Sequence, residues 1–420
     1  MSPRSIVHAV FVAGLLISIG GGANGVVLRS PASHIFAGAA ETSTTSAALT
    51  SWRITPTPRV GGGRDAELLS VSCVSFRDCN AVGYSFTGAG FSTPPDIQAV
   101  LGDVPLIEHF NGRQWTISSS PRLTAVLNSV SCVSATFCIA VGGSIVNNHE
   151  AGSTLVEQFD GERWRVVASP NLDQSAFQGT EASAAPPTTA QPMLVTSSCT
   201  SVSNCFAVGY DEEESPLSEA TVAVPLSIRY GSGQWSFSPI LGDSAEFSNL
   251  SCDQTICVAI GLQGQFPRTI PIAALFTQGI WSAVGAPADP DVRGLSCQGA
   301  SCAAFGNDLN IFTFAHGSWS PTAVPNANAA REMLEGIDCM PHACVLVGTR
   351  AKGRSPYATF IERVGSRASV LTSPDVPRYW NGLFSVACPS SSECVAVGYA
   401  QVPAGGGSGQ VRTLALAAGG

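Results

Sequence analysis

Leu127 to Gly143 read LNSVSCVSATFCIAVGG, and the phrase returns in six other places along this 420-residue chain. Each copy is a short apolar run, a cysteine, four or five residues, a second cysteine, and a glycine four positions on. The pairs are Cys73/Cys79, Cys132/Cys138, Cys199/Cys205, Cys252/Cys257, Cys297/Cys302, Cys339/Cys344 and Cys388/Cys394, which use all 14 cysteines. The glycines are Gly83, Gly142, Gly209, Gly261, Gly306, Gly348 and Gly398. A unit of about 52 residues made of strand-forming segments points to a β-propeller, whose repeats run to roughly 40–50 residues.

Working outward, the residues after the phrase spell the rest of a unit. Ser129–Cys132 and Cys138–Gly142 predict two short strands joined by a five-residue turn. In the second, Cys138, Ala140 and Gly142 share one face and Ile139 and Val141 the other. Both faces are apolar, as expected of a strand held between two neighbouring blades. The position of Ala140 recurs as Ala81, Ala207, Ala259, Ala304 and Ala396, with Leu346 the exception, and small residues there suit packing near a crowded axis. Thr154–Phe159 predicts a third strand, Asp160-Gly161 a turn, and Trp164 opens a fourth. The glycine-then-tryptophan turn returns at Gly112/Trp115, Gly233/Trp235, Gly279/Trp281 and Gly317/Trp319. Prolines follow at Pro121, Pro170, Pro287, Pro325 and Pro374, where a residue without an N–H suits the end of an outer edge strand.

The two ends of the repeat array complement each other. The seventh unit stops after a third strand, Arg412 to Ala417, while an orphan fourth strand, Ser51 to Pro58, precedes the first unit. The sequence therefore predicts an all-β fold: a seven-bladed β-propeller of four-stranded blades, closed by residues 51–58 joining the last blade. The expected blades are about 66–121, 126–170, 193–240, 245–287, 291–325, 333–374 and 382–418 with 51–58, forming a single domain over 51–418. Closure leaves only short edges exposed.

Residues 1–25 carry an export pattern: Arg4, an apolar run from Ile6 to Ile19, then Ala23-Asn24-Gly25 as small residues for cleavage. The run is short for a bilayer span, so a cleaved signal peptide is the first reading and an uncleaved anchor the second. Residues 26–50, rich in Ala, Ser and Thr, read as a flexible leader. Outside the cytoplasm, an even number of cysteines at a recurring pair spacing predicts disulfides between neighbours in each unit. Zinc is the competing reading, but each unit offers two ligands where four are wanted, and the six histidines follow no repeat. A formal net charge of −9 argues against nucleic acid as a partner.

The units resemble those of secreted bacterial repeat proteins that read SC…C-x-A-V-G followed by F-x-G-x-x-W…S-P, and the resemblance spans nearly the whole chain after the leader. It implies the fold and the compartment but no activity. The Gly-x-x-Trp turn is also similar to a worn Asp-box hairpin of sialidase-type propellers. Asp160-Gly161-Glu162-Arg163-Trp164 comes nearest, without the full Ser-x-Asp-x-Gly spacing. That box is structural and implies no catalysis.

If strands alternate in direction, the second-to-third and fourth-to-first connections share one face of the disc, and nearly all length variation falls there. Ser85–Pro105, Asp211–Pro225 and Gln401–Gln410 are inserts of the first kind, and Asn171–Pro192 is one of the second. A ligand site is expected on that face. Its candidate polar residues are Asp96, Asp103, Asn147, Asn148, His149, Glu150, Asp211, Glu212, Glu213, Glu214, Asn307, Asp308, Arg350, Lys352 and Arg354. The run Asp211–Glu214 reads as a solvated loop before a calcium site, because consecutive carboxylates do not converge. Tyr84, Tyr210 and Tyr399 follow the blade glycines and either ring the opening or pack beneath loops. No nucleophile elbow, His-x-x-x-His pair or phosphate-cradling loop occurs, so no catalytic residue, metal or cofactor is assigned. The expected protein is a monomeric binding or scaffold module, secreted or at the cell envelope, with a protein or glycan partner. The alternative is a glycan-active hydrolase or lyase using carboxylates and arginines around the central opening.

Overall fold

The computed structural model describes residues 49, 51–86, 103–144, 152–171, 192–214, 221–242, 244–264, 268–289, 291–306, 310–323, 332–352, 355–366, 368–401 and 410–419. Among them lie 28 strands in seven four-stranded antiparallel sheets and no α-helix. The first strand, β1 (Trp52–Ile54), belongs to the last sheet. Blade I is β2 (Asp65–Ser75), β3 (Asp78–Phe86), β4 (Val104–Phe110) and β5 (Trp115–Ile117). Blade II is β6 (Ala125–Ser134), β7 (Phe137–Ser144), β8 (Ser153–Phe159) and β9 (Trp164–Val166). Blade III is β10 (Met193–Ser201), β11 (Asn204–Glu214), β12 (Thr221–Gly231) and β13 (Gln234–Phe237). Blade IV is β14 (Ala245–Cys252), β15 (Cys257–Gln263), β16 (Ile270–Thr277) and β17 (Ile280–Val284). Blade V is β18 (Val292–Gln298), β19 (Ser301–Gly306), β20 (Asn310–Ala315) and β21 (Ser318–Ala323). Blade VI is β22 (Glu332–Met340), β23 (Ala343–Lys352), β24 (Ser355–Val364) and β25 (Ala368–Val370). Blade VII is β26 (Trp380–Ser390), β27 (Glu393–Gln401) and β28 (Val411–Ala418), completed by β1.

The ring closes as its ends predict. Trp52, Arg53 and Ile54 pair antiparallel with Ala418, Ala417 and Leu416. The Thr55 N–H extends the contact to Ala415 O at 2.9 Å. Two local readings change. The cysteines lie inside longer strands, so the first hairpin of blade II turns at Ala135-Thr136 rather than over five residues. The acidic run Asp211–Glu214 is strand rather than loop: it continues β11 and pairs with Thr221–Val224. Ladder hydrogen bonds hold four consecutive acids extended where side-chain pattern alone reads as solvated.

Each blade carries its own disulfide between first and second strands. The bridges are Cys73–Cys79, Cys132–Cys138, Cys199–Cys205, Cys252–Cys257, Cys297–Cys302, Cys339–Cys344 and Cys388–Cys394. The two halves of a bridge differ in surroundings. The second-strand cysteines Cys79, Cys138, Cys205, Cys257, Cys302, Cys344 and Cys394 are all buried, while their first-strand partners are half-buried. A bridge therefore anchors the hairpin in the interior rather than clipping a turn at the surface.

First strands of neighbouring blades pack against one another all round the ring, so they are innermost. A repeated hydrogen bond joins them. The residue before each first cysteine accepts the N–H of the next blade's first cysteine. Ser72 takes Cys132, Ser131 takes Cys199, Ser198 takes Cys252, Ser251 takes Cys297, Ser296 takes Cys339 and Asp338 takes Cys388, at 2.7–3.0 Å. Each such bond also satisfies a half-buried backbone donor that a ring of separate sheets would otherwise leave open.

Second strands are buried on both faces. Ile139 and Val141 pack with Leu194, Ala207, Ile228 and Trp235 of blade III. Cys138 and Ala140 pack with Val82 and Ile107 of blade I. The small residues at the Ala140 position thus lie one strand out from the axis. Ala81 and Ala140 stand opposite Glu108 and Glu157 of the third strands, so the room they leave is shared with a buried carboxyl.

Every first strand also carries a β-bulge four residues before its first cysteine. The bulge brings a first-strand carbonyl over the blade glycine. A Cβ on Gly83, Gly142, Gly209, Gly261, Gly348 or Gly398 would sit 1.9–2.1 Å from that oxygen. This explains why the repeat demands glycine there.

Candidate functional site

The bulged residues are Leu69, Asn128, Val195, Ser248, Arg293, Glu335 and Phe384. Each lies on an innermost strand, skipped by the ladder register and half-buried, and Asn128 and Arg293 use the position to reach the neighbouring inner strand, Asn128 donating to Leu194 O at 2.9 Å. Polar members occupy blades II, IV, V and VI. Arg293 spans two blades, with Nη2 3.0 Å from Asp291 and Nη1 3.0 Å from Glu335. Burial works against the guanidinium's charge, and the Glu335 and Asp291 carboxylates more than offset it.

On the face where the second-to-third and fourth-to-first connections fall, acids and aromatic rings gather across the adjacent blades VI, VII and I. Glu67 pairs across the ladder with Tyr84 and is 3 % exposed. Burial, then the neighbouring Asp103 and Asp65, push the Glu67 carboxyl up to about 8. Asp103, also 3 % exposed, is pushed by burial to about 7 against the pull of Arg64. The Tyr84 and Tyr399 phenols are raised by burial first and by Glu67 second. Tyr399 packs on Phe384 at 5.3 Å between ring centroids. Above them Tyr357 of blade VI and Trp380 of blade VII meet edge to face at 6.0 Å. These two are 45 % and 37 % exposed, so the rim offers aromatic surface while the acids beneath it are sealed.

A second set of acids lies between blades. Thr413 of blade VII donates its hydroxyl to Glu108 of blade I at 3.1 Å. Ser120, beyond blade I, donates to both oxygens of Glu157 in blade II, at 2.9 and 3.1 Å. Burial pushes Glu108 to about 8 and Glu157 to about 7. These carboxyls are interior struts, out of reach of a ligand.

The residues singled out from sequence divide accordingly. Asp103 is buried beside Glu67, immediately before β4. Asp211 is 1 % exposed within β11, in blade III. Glu213 lies in the same strand. Arg350 is committed internally, pairing with Glu332 at 2.7 Å and stacking 4.4 Å over Phe360. Asp96, Asn147, Asn148, His149, Glu150, Asn307, Asp308 and Arg354 lie outside the described residues. The paired cysteines form no part of a ligand surface: Cys79, Cys205 and Cys394 are fully buried, and Cys302 and Cys344 are nearly so. Among the described residues no group of His, Cys, Asp and Glu is arranged to hold a metal. Sequence reading passed over Glu67, Arg293, Glu335, Tyr357 and Trp380. For Glu67 a signal existed: an acid six residues before the first cysteine, inside an apolar strand.

Compared by sequence, the chain matches no described family and no curated protein. Its fold has counterparts among solved structures. One is described as YCF48 bound to D1 peptide, with TM-score 0.51 and 11 % identity over 89 % of this chain and 96 % of that one. Another is the WD40 beta propeller domain of Doa1, with TM-score 0.49 and 10 % identity over 88 % and 98 %. At such identity the YCF48 likeness speaks to the propeller fold alone.

Proposed function

We propose that this chain is an extracytoplasmic binding scaffold whose partner docks over the aromatic rim of blades VI and VII. One observation carries the reading: Tyr357 and Trp380, from adjacent blades, present exposed rings on the face that bears the variable connections. Large aromatic side chains at such a place are the usual anchors of protein and sugar recognition. A peptide is the first partner class to test, because a propeller of similar fold, YCF48, is described as bound to a peptide. Seven disulfides support an oxidising compartment, and among the described residues no helix is long and apolar enough to cross a membrane.

The glycan-active alternative rests on Glu67 and Asp103, whose raised values suit a general acid. Their burial weighs against it, since a catalytic carboxyl must touch its substrate. Screening the full chain against secreted-peptide and glycan libraries separates the readings. Trp380→Ala combined with Tyr357→Ala is expected to weaken a captured partner at least about tenfold. Unchanged affinity in the double variant would move the site elsewhere, and release of a cleaved glycan would favour the enzyme.

A further inference from the structure

Three blades place a threonine at one position of the third strand: Thr154, Thr359 and Thr413, opposite Gly143, Thr349 and Tyr399. In blade II, Ser169-Pro170-Asn171 folds back on it. Asn171 Oδ1 accepts the Thr154 N–H at 2.7 Å and its hydroxyl at 3.0 Å. Blade VI repeats the device with Ser373-Pro374-Asp375, where Asp375 Oδ1 accepts the Thr359 N–H at 2.8 Å and its hydroxyl at 3.0 Å. In blade VII the matching tripeptide is Thr57-Pro58-Arg59. Thr57 keeps its part and donates to Thr413 O at 3.0 Å. Arg59 cannot keep the other part, because a guanidinium has donors and no acceptor. The Thr413 hydroxyl turns instead to Glu108 of blade I.

A cleft of about 360 Å³ opens at this point, between the segment after β1 and blades VII and I. Thr413 lines it together with Arg59, Arg64 and Arg412, and Val376 and Tyr379 form an apolar wall. In a chain of formal charge −9, three arginines on one small cleft stand out from the composition. The nearby acids are already engaged. Asp65 accepts the Val411 N–H at 2.9 Å, and Asp103 lies buried beside Arg64. Arg64 holds Ser85, and Arg412 reaches Gln410 at 2.6 Å.

We propose that this seam cleft binds a carboxylate group from outside the chain, which takes the place that Asn171 and Asp375 hold in blades II and VI. One oxygen accepts the Thr413 N–H and the arginines pair with the group, a charge-assisted arrangement that favours planar anions. The cleft's size suits a small acid, an acidic side chain or a uronic sugar. The site is separate from the aromatic rim and does not depend on the partner read there.

Thermal melts and calorimetric titrations of the full chain test it, using N-acetyl-glutamate amide and glucuronate as probes. N-acetyl-glutamine amide and glucose serve as uncharged counterparts. At least one acid is expected to raise Tm with dose while the uncharged partners do not, and the acid that binds tells a peptide source from a sugar source. Arg59→Asn supplies the missing acceptor internally. It is expected to raise Tm without ligand and to weaken the acid at least about tenfold. Arg412→Ala is expected to weaken binding similarly without that gain, and carries the test if Arg59→Asn does not fold. Equal response to acid and amide, no response to either acid, or full affinity in either folded variant would overturn the proposal.

Discussion

At six of the seven blade interfaces a serine or aspartate beside the first cysteine receives the next blade's cysteine N–H; at the seam between blades VII and I, Ala387 stands in that place. The seam is tied by other means. Ser385 accepts the Val71 N–H at 3.2 Å, the Trp115 indole donates to Thr55 at 3.0 Å, and Thr413 reaches Glu108. Ordinary interfaces join consecutive blades, so chain connectivity already holds them together. Two of the seam's ties join residues more than 300 positions apart, and the third runs from Trp115 to the segment that closes the last blade. The difference teaches that closure is made by non-local burial and paired edges, while the repeated latch only tunes neighbours already tethered.

The strongest way to break this comparison is to remove the closing strand. A chain lacking residues 1–58 loses Trp52, which is 7 % exposed, and Leu49, which is 2 % exposed, and bares the outer edge of β28. It is expected to lose cooperative unfolding and to self-associate through that edge, as read by circular dichroism melts and gel filtration. A peptide of residues 49–60 added in trans should restore the monomeric transition. A truncated chain that melts like the intact one would contradict the seam's role.

A smaller effect follows from the carboxyls between blades. Glu108 and Glu157 sit at about 8 and 7 in the folded chain, above the ordinary value near 4.5. The folded state therefore holds more protons than the unfolded one between about pH 4 and 8. Stability is full below that window and falls as pH rises through it, by up to about 1.4 kcal/mol per pH unit for each group. Tm is expected to be lower at pH 8 than at pH 5. Glu108→Gln should flatten the part of the decline that belongs to the seam. A Tm that rises from pH 5 to pH 8 would refute the assignment.

The smallest expected effects sharpen the contrast at single residues. Ser131→Ala removes the latch between blades II and III and should cost about 1–2 kcal/mol in denaturant unfolding. Ala387→Ser offers the seam the hydroxyl it lacks and should add about 0.5–1 kcal/mol. If Ala387→Ser destabilises, the seam is not spaced like its neighbours.

Much of this architecture was legible in the chain. The blade number lay in the cysteine and glycine spacing, and the two-sided burial in Cys138–Gly142. Closure lay in the unmatched Trp52 and Pro58. The latch was written in the recurring Ser-Cys, but a hydroxyl's partner one blade away leaves no mark on the same segment. The bulge left less trace, because its residues range from Leu69 and Phe384 to Arg293 and Glu335. A position defined by backbone geometry need not repeat in chemistry. The interior acids showed as Ile107-Glu108-His109-Phe110, Val156-Glu157-Gln158-Phe159 and Ile361-Glu362-Arg363-Val364, a charge at one offset in three apolar strands. The acidic run of β11 misled, since pairing with β12 rather than side-chain pattern makes it strand. Of the candidate site, Tyr84 and Tyr399 were visible, while Tyr357 and Trp380 come together only when blades VI and VII are placed side by side.

Hydrogen exchange on the intact chain puts the closing strand to the most direct test. The amides of Arg53 and Thr55, which face β28 across the ladder, should exchange as slowly as those of β28, the strand they join. Exchange at unfolded-chain rates at Arg53 and Thr55, with the other blades protected, would mean that the wheel is shut by something other than its leading segment.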